Sequence, residues 1–257
     1  MITKDVLLLK FDERKNMIEV YYFHAIGRCI VPDKWNNDMD ASINRLYYIH
    51  AGSGGYIKDG EKNEYKKGRL YLLPAFANIY TFSSLTDKID HTYVSYELIP
   101  PILTKDVLSI DPYSKPDIKA AFEVLLALCY EGRAKKDKNM KKYLGHTVAY
   151  LSEKIAEEND CSVLKDSTLI KALTIMHSQI EENRSIADIA EECGMSTDGF
   201  IRKFKAYIGQ TPYDYLKKLK VRVALKLREL GNSWEEIAVK CGYADQTSLL
   251  HAIKNRK

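Results

Sequence analysis

Between Ile18 and Leu98 the apolar and aromatic positions come in short runs. Ile18–Phe23, Arg45–His50, Arg69–Leu73 and Thr92–Leu98 are rich in β-branched and aromatic residues, the composition of strands. Turn signals separate them: Gly52-Ser53-Gly54-Gly55, Lys58-Asp59-Gly60, Lys67-Gly68 and Leu73-Pro74. Strands this close together leave no room for crossover helices, so the pattern predicts an antiparallel sandwich or small barrel.

After the Pro100-Pro101 and Asp111-Pro112 to Pro116 stretches the period changes to that of helices. Ile118, Ala121, Phe122, Leu125 and Cys129 share one face, and Leu144, Val148, Leu151 and Ile155 form a second stripe. The 4-3-4 spacing of that second stripe fits either a short coiled-coil dimer seam or a helix packed on the strands. From Asp166 onward the pattern is entirely helical, opening with Leu169, Leu173, Met176 and Ile180. The fold class expected is α+β in two domains. Residues 1–110 form an antiparallel barrel, 111–165 a helical linker and dimerisation region, and 166–257 an all-helical domain.

The helical domain contains a repeat. At an offset of 48, Ser185, Ile189, Ala190, Cys193 and Gly194 align with Ser233, Ile237, Ala238, Cys241 and Gly242. Each copy opens with a capping signature, Ser185 with Asp188 and Ser233 with Glu236, that starts a helix. Each of these helices ends at a glycine, after which a second helix begins. One extra residue enters the second turn, so Asp245 replaces Ser196 as the cap, and Phe200, Phe204 and Lys205 align with Leu249, Ile253 and Lys254. Two short helices joined by a tight turn, the second of them polar on its outer face, have the geometry that carries side chains into a major groove. Between the copies Thr211 caps a helix that starts at Pro212 and stops at Gly231, with Tyr213, Leu216, Leu219, Val223, Leu227 and Leu230 read as its inward face. At 1.5 Å per residue its length is roughly 28 Å, a little under the ~34 Å of one DNA turn, which suits two reading helices on one side of a bent duplex.

Net charge changes this picture only through its distribution. The whole chain carries +4, but Thr197 to Arg228 holds nine Lys or Arg against Asp198 and Asp214, a local basic stripe suited to a polyanion. The five cysteines are odd in number and widely spaced, without a C-x-x-C, which implies reduced thiols and no zinc knuckle. No apolar stretch long enough to span a membrane and no leader-like N-terminus is present, so a cytoplasmic protein without membrane contact is expected.

The combination Ile186-Ala187-Asp188-Ile189-Ala190, Phe200 with Phe204-Lys205, Gly209-Gln210-Thr211-Pro212, Val221-Arg222-Val223-Ala224 and Glu236-Ile237-Ala238 followed by Gly242-Tyr243 resembles the AraC/XylS family of transcriptional regulators over roughly residues 168–254. The resemblance implies two helix-turn-helix units that bind promoter or operator DNA. It implies base contacts from Thr197, Asp198, Ile201 and Arg202 in the first unit and from Gln246, Thr247, Leu250 and His251 in the second. Ser196, Lys205, Lys217 and Lys254 would hold phosphates. Leu250 and His251 depart from the polar or basic groups common in the family at those positions, so the first unit is the better-equipped reader. His50-Ala51-Gly52-Ser53-Gly54 and Lys67-Gly68-Arg69-Leu70-Tyr71-Leu72-Leu73-Pro74 resemble, less specifically, the cupin-like sensor domain of such regulators. The His-x-His and Glu set of metal-binding cupins is absent, with Asn78 where such a domain often has His, so no metal and no cofactor are expected.

No Gly-x-Ser-x-Gly, Walker loop or His-Glu-x-x-His appears, which removes the usual starting points for an enzyme. Arg28, Trp35, Arg45, Tyr47, Tyr80 and Tyr93 are the candidate lining of an effector site, since aromatic walls with a few polar groups suit a small polar ligand such as a sugar or metabolite. The expectation is a ligand-responsive regulator, an activator or a repressor, acting as a homodimer, with DNA, a small-molecule effector and RNA polymerase as partners. The competing expectation is a cupin-type enzyme or carbohydrate-binding protein with a helical tail.

Overall fold

A computed structural model of the chain describes residues 19–32, 35, 43–75, 77, 79–130, 137–229 and 231–255. Asn78, Leu230 and the terminal Arg256-Lys257 lie outside the described residues. The chain divides into two compact units, one ending at Leu164 and the other beginning at Lys165.

Among the described residues the N-terminal unit holds eight strands: β1 (Glu19–Ile30), β2 (Asn44–Ala51), β3 (Gly54–Lys58), β4 (Glu61–Glu64), β5 (Leu70–Leu73), β6 (Ile79–Ser83), β7 (Asp90–Ile99) and β8 (Leu108–Ile110). They form two open antiparallel sheets, ordered β1-β7-β2-β5-β8 and β4-β3-β6. The closed barrel expected from the strand spacing is therefore replaced by two separate sheets. Edge strands of three and four residues, β8 and β4, are too short to carry pairing from one sheet to the other. The hairpin between β3 and β4 turns on Asp59 (φ 50°) and Gly60 (φ 84°), the two positive dihedrals of a type I′ turn.

Register decides which residues share a face. In the five-stranded sheet Arg45 pairs with Leu73 and Ser95, Tyr47 with Tyr71 and Tyr93, and Ile49 with His91. Because side chains alternate across a strand, all of these project from one side, into an aromatic cluster shared with Trp35, Tyr65 and Ile79. Leu46, Leu70, Leu72 and Val94 project from the opposite side and pack with helices α1 (Pro116–Tyr130) and α2 (Lys138–Glu158). Ile118, Phe122, Leu125 and Cys129 of α1 are buried in that core, as their spacing predicts. Asp137 starts α2 by accepting from the Asn139 amide at 2.7 Å.

The stripe Leu144, Val148, Leu151 and Ile155 is fully buried in the same core. Of its two readings the intramolecular one holds, and the dimerisation expected of residues 111–165 loses the Leu144–Ile155 stripe as its seam. The reason is that the sheet's second apolar face needs cover and α1 supplies only part of it. Tyr96 marks the junction, its hydroxyl 2.6 Å from Ser152 Oγ, which in turn donates to the Val148 carbonyl.

The C-terminal unit holds α3 (Ser167–Ser178), a 3-10 turn (Ile180–Glu182), α4 (Ile186–Glu192), α5 (Thr197–Ile208), α6 (Pro212–Glu229), α7 (Trp234–Lys240) and α8 (Gln246–Lys254). None of the described helices is long and apolar enough to cross a membrane.

Leu151→Ala removes a fully buried side chain from the α2 face and is expected to cost about 2–5 kcal/mol of stability. Urea unfolding followed by Trp35 fluorescence in a Trp234→Phe background reads the N-terminal unit alone. A variant with unchanged stability but a lowered association state would instead place Leu151 in a seam between copies.

Candidate nucleic-acid interface and the interior between the sheets

The first helix-turn-helix unit is built from local hydrogen bonds that its sequence encodes. Ser185 Oγ accepts from the Asp188 amide at 3.1 Å while the Asp188 carboxylate accepts from the Ser185 amide at 2.9 Å, a complete capping box. Gly194 turns the chain at φ 70°. Ser196 then caps α5 by accepting from the Gly199 amide. Phe200 and Phe204 are fully buried with ring centroids 5.6 Å apart, and Tyr215 of α6 meets Phe204 edge-on at 5.5 Å. The Tyr215 hydroxyl is 2.6 Å from His177 Nε2, which ties α3 and α6 to the same core.

The second unit repeats this construction. Ser233 and Glu236 form the capping box, Gly242 turns at φ 65° and Asp245 accepts from the Ser248 amide at 2.7 Å. Its core joins Ile237, Ala238, Cys241 and Leu249 to Ala224 and Leu227 of α6. One helix of 18 residues thus serves both cores. Its inward face differs from the sequence expectation at the start: Tyr213 is exposed and Tyr215 buried. Thr211 and Pro212 fix where the helix begins, and two positions rotate a side chain about 200° around the axis, so only one of the two tyrosines can face Phe204.

The outward faces hold the residues expected to touch DNA. Asp198, Arg202 and Lys205 are exposed on α5, with Thr197 and Ile201 half-buried beside them, and Ser196 stands exposed at its start. On α8 Thr247, Leu250, His251 and Lys254 are exposed and Gln246 is half-buried. His251 lies 3.0 Å from Asn255 Nδ2. The basic stripe is less uniform than its sequence. Lys203 pairs with Asp166 at 2.7 Å, Arg228 lies over the Trp234 ring and Lys220 is half-buried. Arg202, Lys205 and Lys217 pair with no carboxylate among the described residues and are exposed.

Of the six effector candidates the structure gathers four. Trp35, Arg45, Tyr47 and Tyr93 lie on the inner side of the large sheet or against it. Trp35 is 6.1 Å from Tyr47, ring to ring. Arg28 and Tyr80 do not join them. Arg28 pairs with Thr92 in the ladder and so faces the helix side, where it grips Asp90 through two hydrogen bonds of 3.0 and 2.6 Å. Tyr80 points outward from β6, between the buried Ile79 and Thr81. The residues missed are polar. His91 sits 4.8 Å from Tyr47 and 5.3 Å from Trp35, and Tyr65 meets Tyr71 edge-on with ring centroids 4.8 Å apart. His91 Nδ1, the Tyr65 hydroxyl and the Thr81 hydroxyl are buried without a hydrogen-bond partner among the described residues. The alternation of Tyr47, Ile49 and Tyr71 with the opposite face gave a signal for this side, but pairing register was needed to bring His91 to it.

Residues 189–257 match a family model described as a helix-turn-helix domain. An AraC-like transcription regulator of Streptomyces lividans is 32% identical over 92 residues, 35% of this chain and 30% of that protein. The HTH-type transcriptional regulator AlkR of Acinetobacter baylyi is 28% identical over 96 residues, 37% of this chain and 31% of its own length. The chain thus matches less than a third of the length of these curated relatives. Over this C-terminal stretch the chain is similar to AraC-like transcription regulators. Over both domains the fold is that of ToxT from Vibrio cholerae, with a TM-score of 0.58 at 16% identity and coverage of 91% of this chain and 94% of that one. The family model leaves the sheets outside its match.

Burial holds the His91 imidazole down to about 4, against weaker opposing contributions from a Cys29 backbone hydrogen bond and the Asp90 carboxylate. The folded protein therefore keeps His91 neutral where the unfolded chain, at the ordinary imidazole value near 6.5, takes up a proton. This contribution to stability is complete above pH 6.5 and is lost as pH falls from there toward about 4. Between about pH 7 and about pH 4.5 the wild type should lose roughly 2–3 kcal/mol more than His91→Asn in urea unfolding read through Trp35. Equal losses would show that His91 is not the group responsible.

Proposed function

We propose that this chain is a sequence-specific DNA-binding transcription regulator whose N-terminal unit takes a small-molecule effector. The observation that carries the reading is the pair of capped helix-turn-helix units on one continuous helix, each turning a polar helix face outward. Helix length sets the geometry: 18 residues span roughly 27 Å, less than the ~34 Å turn of DNA. Two adjacent major-groove faces are then met by one domain on a bent duplex.

In this reading Arg202 reads guanine through its two parallel donors. Thr197, Asp198 and Ile201 flank it, and Gln246, Thr247, Leu250 and His251 form the second, less polar reading face, where Leu250 suits a thymine methyl. Lys205, Lys217 and Lys254 hold phosphates. Ser196 spends its oxygen lone pair on the Gly199 amide and keeps its hydroxyl proton to donate to a phosphate.

The effector site belongs between the sheets, where Trp35, Arg45, Tyr47 and Tyr93 stand with His91, Tyr65 and Thr81. Aromatic walls with a few convergent polar atoms suit a small organic molecule. ToxT has been crystallised bound to an unsaturated fatty acid, which supports a small-molecule role for a unit of this fold. Effector binding shifts the population of DNA-binding arrangements by its differential affinity for them.

Selection of duplexes from a random library followed by titration tests the DNA reading. Arg202→Ala should weaken binding to the selected duplex by about 1–3 kcal/mol and relax preference at one base position. Lys205→Ala should weaken all duplexes alike and lower the salt slope by about 1. Unchanged affinity and preference in Arg202→Ala would remove α5 as the reading helix.

A further inference from the structure

Two segments distant in the chain converge on Lys220. Its ammonium donates to Asn183 Oδ1 at 2.5 Å and reaches the Gly242 carbonyl at 3.5 Å. The same nitrogen lies 5.7 Å from the centroid of the Tyr243 ring. Asn183 is the left-handed residue (φ 48°) that closes the 3-10 turn ahead of α4, so it belongs to the entry of the first unit. Gly242 and Tyr243 form the turn of the second. One cation on the shared helix therefore bonds to both units at once.

The approach of the two units is close enough to restrict residue type. A Cβ built on Gly242 would lie 2.7 Å from Asn183 Cβ, well inside van der Waals contact, and the positive φ of Gly242 itself favours glycine. No carboxylate among the described residues pairs with Lys220, so its partners are the Asn183 amide oxygen, a carbonyl and an aromatic face. A half-buried ammonium held this way needs all three, because burying a charge without hydrogen bonds is costly. Burial also holds the Lys220 amine below its ordinary value. Unlike Arg202 or Lys205 it is not presented for a phosphate.

We infer that Lys220, Asn183 and Gly242 form the joint that fixes the distance and angle between the two reading helices, and thereby the half-site spacing the protein accepts. The inference rests on the DNA reading proposed above. Without the joint, α6 alone connects the units, and a helix bends and twists gently along its length. One base pair of added spacing moves a half-site by about 3.4 Å and turns it by about 35°, since one turn holds 10–10.5 base pairs over ~34 Å. A rigid joint rejects that displacement and a loosened one tolerates it. Lys220 is thus a positioning residue, acting on DNA through the geometry of α5 and α8.

The test uses the full chain and a random duplex library, with wild type, Lys220→Met, Gly242→Ala and Lys220→Arg selected in parallel. Wild type should recover two sequence blocks at one separation, and inserting one base pair between them should weaken binding about tenfold or more. Lys220→Met and Gly242→Ala should recover the same blocks over several separations, with the insertion penalty below about threefold. Lys220→Arg, which retains charge and donors, should stay nearer to wild type. Binding of each variant to a duplex with a single block checks that the units remain folded, and Asn183→Ala replaces any variant that fails this check. Sharp wild-type spacing retained in Lys220→Met and Gly242→Ala would overturn the joint while leaving the DNA reading intact. A wild type that selects no two-block duplex would overturn both.

Discussion

Neither helix-turn-helix unit can bury a core from its own two helices, and the C-terminal domain is arranged around that shortage. Segments of about twenty residues expose too large a share of their surface to fold alone. The first unit completes its core with Tyr215, set against Phe204 and hydrogen-bonded to His177. The second borrows Ala224 and Leu227. Both loans come from one helix, so the cores that stabilise the units also fix how far apart they stand. Stability and reading geometry are consequences of the same residues, which is why the outward faces are free to carry groups chosen for a partner.

Local signals made most of this domain legible in the sequence. Ser185 with Asp188, Ser233 with Glu236, Asp245 and the turn glycines announce their roles within four residues, because capping and left-handed turns are satisfied locally. The face of α6 was less legible. Tyr213 and Tyr215 carry the same side chain, and only the starting point set by Thr211 and Pro212 decides which one turns inward. The Lys220 joint was hidden altogether, since Asn183, Lys220 and Gly242 are joined by tertiary contact alone. Its cation looked like one more member of a basic stripe.

The N-terminal unit shows the same division. The β-branched and aromatic runs marked β1, β2, β5 and β7, and the helical period marked α1 and α2. The short polar β4 and the three-residue β8 carry no such run, and with them went the means to tell two open sheets from a barrel. The stripe from Leu144 to Ile155 was correctly spaced for burial, but spacing does not name the surface that buries it. Arg28 and Arg45 pose the same difficulty: their strands place them on opposite faces, one held by Asp90 beside the helices and the other among the aromatic rings between the sheets. Pairing register, a property of two strands together, separates them.

The interior between the sheets is costly as a purely structural core. A buried donor or acceptor without a partner costs about 1–3 kcal/mol, and His91 Nδ1, the Tyr65 hydroxyl and the Thr81 hydroxyl are three such atoms on one cluster. Phenylalanine and valine would fill much the same volume at Tyr65 and Thr81 without that penalty. A ligand that enters and supplies hydrogen bonds recovers the cost, so part of its binding energy appears as stability of the unit that receives it. In the proposed reading, the same polar atoms that weaken the sheets are what would couple an effector to them.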